Sequence, residues 1–194
     1  STSIDSFNIP GEIANCIIAL GEIYKEFDPE ATATDSKQRR TFAEKVGLAF
    51  QTERESLYKN GFAEPAQKIS RAQLLEILEN IKKHAEKTIS LNKREDGLYH
   101  AYNTMSISDT DMELSYLQEM LEGQVAVLSS GHLSPQEALD VFNALRRSRL
   151  FESRQYSYML YPDKELPHFC AKNNITAKDV EPLAKLIERS GDRI

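Results

Sequence analysis

The sequence predicts an all-α protein of about six to seven helices arranged as antiparallel hairpins in a bundle. Three observations predict it. Apolar residues recur at helical spacing through five long segments. Helix start signals stand at the heads of those segments, the strongest being Ser134-Pro135-Gln136-Glu137. The links between some segments, such as 131–134, are short enough to make successive helices antiparallel neighbours. A single helical domain over 1–194 is the expected organisation.

Residues 1–8 read as a polar lead-in. Pro10 then opens a first helix carrying Ile13, Cys16, Ile17, Leu20, Ile23, Tyr24 and Phe27, stopped by Asp28-Pro29. Cys16 shares the apolar face with Ile13 and Leu20, which predicts a packed, reduced thiol. The stretch EATATDSK reads as a loop. A second helix starts near Asp35 or Ser36, turns Phe42, Val46, Ala49, Phe50 and Leu57 inward, and ends at Lys59-Asn60-Gly61, where glycine supplies the left-handed cap.

Ser70-Arg71-Ala72-Gln73 forms a capping box, with Ile69 and Leu74 as its hydrophobic staple. The third helix runs through Leu74, Ile77, Leu78, Ile81, Ala85, Thr88 and Ile89, with His84 read as solvated among lysines. Asp96-Gly97 breaks the pattern. A fourth helix, capped by Asp109 or Asp111, is expected to carry Met112, Leu117, Met120, Leu121, Val125 and Leu128 up to Gly131. The fifth follows Ser134 through Ala138, Leu139, Val141, Phe142 and Leu145, ending in Arg146, Arg147 and Arg149. Residues 151–169 are aromatic and irregular, with YSYMLY readable as a short strand. A helical turn through Phe169 and Ala171 and a last helix capped at Thr176 complete the chain.

Composition narrows the function. Of 194 residues, 40% are hydrophobic and 28% charged, as in an ordinary globular protein, and the net charge of −6 supplies no basic face for nucleic acid. The longest apolar run, residues 14–20, is far shorter than the ~20 residues of a membrane span. No signal peptide is present, so cytoplasm is the default compartment. The chain opens without an initiator Met, which reads as a piece of something longer. His84, His100, His132 and His168 show no metal-ligand spacing, and no GxSxG, Walker A or GxGxxG occurs; neither metal nor cofactor is expected.

The densest polar set is the stretch 90–105, between two long helical patterns. Arg94, Asp96, His100, Tyr102 and Asn103 within it form either a hydrogen-bond network that orders the loop or a ligand site, and the network is the favoured reading. Glu119 and Glu122 lie three apart on one helix face, where an acid/base pair could sit; with Asp96 they are the candidate catalytic carboxylates. Gly123 in that helix hints at close packing or a kink. Tyr156 and Tyr158 offer rings for a sugar or peptide, and Arg146, Arg147, Arg149 and Arg154 could clamp an anion.

Three blocks, NKREDGLYHAYN (92–103), LQEMLEGQVAVLSSGHLSPQEAL (117–139) and SYMLYPDKELPHFCAKNNI (157–175), resemble an internal region of very large bacterial proteins similar to cellobiose phosphorylases and cyclic glucan synthases. The resemblance implies part of an (α/α)-toroid-like, carbohydrate-active architecture, and a chain whose partner is the remainder of a larger polypeptide. No catalytic acid of the phosphorylases maps onto a position here. Two functions stay open: a non-catalytic scaffold or interaction module of a carbohydrate-related protein, and an enzyme fragment using carboxylates beside an aromatic cleft.

Overall fold

The computed structural model describes residues 5–62, 65–174 and the single positions 185, 188 and 189. It corrects the fold class. Of the described residues 57% are helix, but 14% are strand in three small antiparallel sheets, so the fold is mixed α and β rather than all-α. The chain divides into two units, Ser1–Pro162 and Asp163–Ile194. Of the helix expected from Thr176, only positions 185, 188 and 189 are described, and those three are helical.

In the larger unit, β1 (Ser6–Ile9) replaces the expected lead-in and pairs antiparallel with β2 (Gln67–Ser70), Phe7 opposite Ile69. Each strand feeds a helix: β1 leads to α1 (Gly11–Glu26) and β2 to α4 (Arg71–Leu91). Ile69 is fully buried, and Ser70 Oγ accepts the Gln73 N–H at 3.1 Å as the cap predicts. The two helices approach closely where Gly21 faces Ile77: a Cβ there would lie 2.5 Å from Ile77 Cγ1.

The segment after Asp28 is not a loop but α2 (Pro29–Thr34), because Asp28 caps it through the Glu30 N–H and Pro29 suits its first turn. Asp35 then caps α3 (Ser36–Asn60) by accepting from Lys37 and Gln38 N–H. Along α3, Phe42, Val46, Ala49 and Leu57 are half-buried, as expected. Phe42 meets Tyr24 and Phe27 edge-on and stacks on His84. Farther along, Phe50, expected inward, is exposed, as are Tyr58 and Phe62.

His84 is a second correction. It is buried, not solvated: Thr32 Oγ lies 3.3 Å from Nδ1, and the Tyr24 and Phe27 carbonyls lie 3.2 Å from Nε2. Its helical neighbours Ile77, Ile81 and Thr88 decide its face, whatever the charge of its sequence neighbours. Cys16 and Cys170 are both free thiols, Cys16 half-buried and Cys170 exposed.

The expected fourth helix, read as capped by Asp109 or Asp111, instead has its cap at Met120. Met112–Tyr116 is a strand, β4, paired with β3 (Asn103–Ile107) so that Asn103 faces Tyr116, Met105 faces Leu114 and Ile107 faces Met112. Alternation places those six side chains on one face of the hairpin. The turn between the strands is held by Ser108, whose Oγ accepts the Thr110 and Asp111 N–H groups. Helix α5 is confined to Leu121–Ser129.

Helix α6 (Pro135–Arg147) starts as predicted: Ser134 Oγ accepts the Glu137 N–H and Glu137 Oε2 accepts the Ser134 N–H, completing the capping box. Its inner face, Val141, Ala144 and Leu145, packs with Leu98, Tyr99, Val127 and Leu150 into the small core of this half of the unit. The readable strand in YSYMLY is two residues long: β6 (Ser157–Tyr158) pairs with β5 (Phe151–Glu152). In the second unit α7 (Phe169–Lys172) is the expected helical turn. Among the described residues no helix is long and apolar enough to cross a membrane.

Candidate functional site

The link between α4 and β3 opens with a tight turn. Arg94 N–H donates to the Leu98 carbonyl at 2.8 Å, Gly97 N–H to the Arg94 carbonyl at 3.1 Å, and Lys93 and Tyr99 form an antiparallel bridge. Gly97 takes φ +83°, a left-handed conformation that glycine alone adopts without cost. Asp96 accepts the Leu98 N–H at 3.1 Å and takes a forked pair from Arg94, with Nη2 at 2.8 Å from Oδ2. The Arg94 guanidinium holds the Asp96 carboxyl below the usual carboxylate range, against the opposing effect of burial. Glu119 Oε2 lies 3.8 Å from the same Nη2, so one guanidinium serves both carboxylates.

What anchors this turn is a residue the sequence reading passed over. Gln124 in α5 is fully buried; its Oε1 accepts the Tyr99 N–H at 2.9 Å, and its Nε2 donates to the Tyr99 carbonyl at 2.8 Å and the Met120 carbonyl at 2.9 Å. The side-chain amide thus pairs with the Tyr99 backbone as a neighbouring strand would. Leu98 and Tyr99 are pulled into the core with it. A polar residue at an inward helix position, three after Leu121 and three before Val127, was the available signal. Gly123 beside it accommodates the loop: a Cβ there would lie 2.9 Å from Ala101 Cβ and 3.0 Å from Ala101 Cα.

The remaining loop candidates separate. His100 stacks on Tyr116, ring centroids 4.1 Å apart and planes 15° apart, and its N–H donates to the Asn92 carbonyl at 2.9 Å. Burial, reinforced by Arg94, lowers the His100 pKa, so the ring is neutral at neutral pH; the Leu117 backbone, Asp96 and Glu119 pull more weakly the other way. Asn103 Nδ2 donates to Asn92 Oδ1 at 3.0 Å, and Asn92 Nδ2 to the Thr88 carbonyl. Tyr102 points outward and its hydroxyl donates to Glu122 Oε2 at 2.7 Å. Arg94 and Asp96 bond to each other rather than to His100 or Asn103.

Arg94, Asp96, His100 and Tyr116, with Leu91, Lys93 and Glu95, line an open basin of about 450 Å³. Tyr102 and Glu122 are a separate pair, and neither Tyr156 nor Tyr158 lines the basin. Those tyrosines belong to the β5–β6 hairpin, where both meet Phe151 edge-on. Arg146 lies over the Phe151 ring at 3.5 Å and over the Tyr156 ring at 4.4 Å, so these ring faces hold a guanidinium. Tyr156 reaches that position with φ +50°, unusual for a residue with a side chain.

Chemically, the basin offers a guanidinium–carboxylate fork and an imidazole–phenol stack, groups that can hydrogen-bond or stack against a polar ligand. Among the described residues no group of three or more His, Cys, Asp or Glu is placed to hold a metal ion. In comparison with known proteins, no family model matches this chain and no curated protein does.

Proposed function

We propose that this chain is a non-catalytic scaffold or interaction module of a larger, carbohydrate-related bacterial protein. The observation that carries the non-catalytic reading is the placement of the candidate carboxylates. Asp96 is forked by Arg94 and capped onto Leu98, Glu119 shares the same guanidinium, and Glu122 accepts from Tyr102. A general acid needs a carboxyl that keeps its proton near neutral pH, whereas Arg94 drives Asp96 the other way. Exposed Leu48, Phe50 and Tyr58 on α3, and Phe62 just past its end, supply apolar surface suited to an intramolecular neighbour. The carbohydrate context and the larger polypeptide rest on the three sequence blocks described above.

One arrangement favours the alternative, a carbohydrate-active enzyme fragment: Arg94 gathers Asp96 and Glu119 beside the His100–Tyr116 stack. The test is to incubate the chain with gluco-oligosaccharides, with and without phosphate, and follow products chromatographically. No turnover is expected. Turnover abolished by Asp96→Asn or Glu119→Gln would replace the module with the enzyme. Reading the coding sequence on both sides of these residues tests the larger polypeptide.

A further inference from the structure

A groove of about 560 Å³ runs between α3, α4 and the β3–β4 hairpin, within the range of pockets that hold small ligands. Phe42, Val46, Ile81, Met105 and Leu114 make its wall apolar, and the methionines give it an adaptable side. Among the described residues, Arg39 is the only Asp, Glu, Lys or Arg in that lining.

The state of Arg39 is unusual. Its Nη1 donates to the Met112 carbonyl at 2.7 Å and its Nη2 to the Ala33 carbonyl. Among the described residues no carboxylate pairs with it. Two carbonyl dipoles therefore fix the fork in position without neutralising it, and a guanidinium has donors to spare beyond these two. A fixed, uncompensated cation on an apolar wall attracts an anion more strongly than one in open water, and the planar fork matches a carboxylate. His84, the other ionisable nitrogen base on the wall, already has both ring nitrogens engaged by Thr32, Tyr24 and Phe27.

We propose that this groove binds a small amphiphilic carboxylate, a free acid with an apolar body the size of a medium-chain fatty acid, its head on Arg39 and its chain along Phe42, Val46, Ile81 and Leu114. One cation matches one monoanion, and the rest of the lining offers a chain the cover it needs.

The test is calorimetric titration of the intact chain with decanoate and with decanol, which shares the body and lacks the charge. Two variants are compared with the parent. Arg39→Met removes the anchor. Gly47→Leu blocks the groove: Gly47 lines it, a Cβ there meets nothing within 4 Å, and replacing glycine inside a helix favours the fold. Decanoate should bind the parent more tightly than decanol does. Arg39→Met should weaken decanoate about tenfold or more, the worth of a charge-assisted pair, and leave decanol unchanged. Gly47→Leu should abolish both. The proposal is overturned if decanoate fails to bind at millimolar concentration, if decanol binds equally well, or if Gly47→Leu leaves the decanoate affinity unaltered. Should Arg39→Met not fold, the decanoate-to-decanol ratio and Gly47→Leu decide the matter.

Discussion

Replacing Gln124 by Leu is the sharpest perturbation this fold offers. The two side chains are close in size, so the change removes hydrogen bonds with little loss of packing. It strips the Tyr99 N–H and carbonyl, both lying against a fully buried side chain, of the partners they have at 2.9 and 2.8 Å. A buried backbone group left unpaired costs about 1–3 kcal/mol, so two cost about 2–6 kcal/mol, offset by under about 1 kcal/mol from the easier burial of leucine. Urea unfolding followed by circular dichroism measures the difference. Gln124→Glu refines the reasoning: the carboxylate still accepts from Tyr99 N–H but sets its second oxygen against the Tyr99 carbonyl. Burial and that repulsion raise the pKa of the new group, so its destabilisation should be full at pH 8 and relieved as the pH falls and the acid becomes a donor. Gln136→Leu, which removes only an exposed bond to Asp140, is the control and should cost under about 0.5 kcal/mol. A Gln124→Leu protein within that same margin of the parent would refute the clasp.

Ser134→Ala should cost about 1 kcal/mol in the same assay by freeing the Glu137 N–H, while Ser129→Ala should cost less, since Ser129 Oγ bonds only carbonyls of its own helix. Gly123→Ala should destabilise by about 1–3 kcal/mol: the clash with the Ala101 backbone outweighs the gain of about 1 kcal/mol in helix propensity. Asp96 has a depressed folded pKa, so its stabilisation is full above the ordinary value of about 4 and is lost as the pH falls through the folded one. Asp96→Asn should therefore lower stability at pH 7, by about 1 kcal/mol for a pair this exposed, and the gap to the parent should close in acid.

Local chemistry was legible in the sequence, and non-local chemistry was not. The Ser134 box could be read because an N-cap and its glutamate act within four residues. The loop at 90–105 stood out by composition, yet its anchor lies twenty-five residues on, and Gln124 looked like one more polar residue in a helix. The hairpin was misread because Met112, Leu117, Met120 and Leu121 satisfy a helical spacing while Met112, Leu114 and Tyr116 satisfy the alternation that prevails. The pairing with Asn103–Ile107 decides between the two, and no single segment displays it. Arg39 carried no signal at all, since its interest comes from which carbonyls hold it and which carboxylates are missing.

The two larger sheet pairings make different demands on the order of folding. Strands β3 and β4 are joined by the four residues 108–111, so they can meet in microseconds. Strand β1 must instead find β2 across the whole of α1, α2 and α3, with Ile9 opposite Gln67 and Ser6 opposite Ser70. Closing a segment of that length costs about 1.5 kcal/mol more chain entropy than closing ten residues. The β1–β2 ladder is accordingly a late event, repaid only once Ile69 is covered. Weakening it by Ile69→Val should speed unfolding and leave the refolding rate nearly unchanged, which would make the first strand the latch of the fold rather than its nucleus.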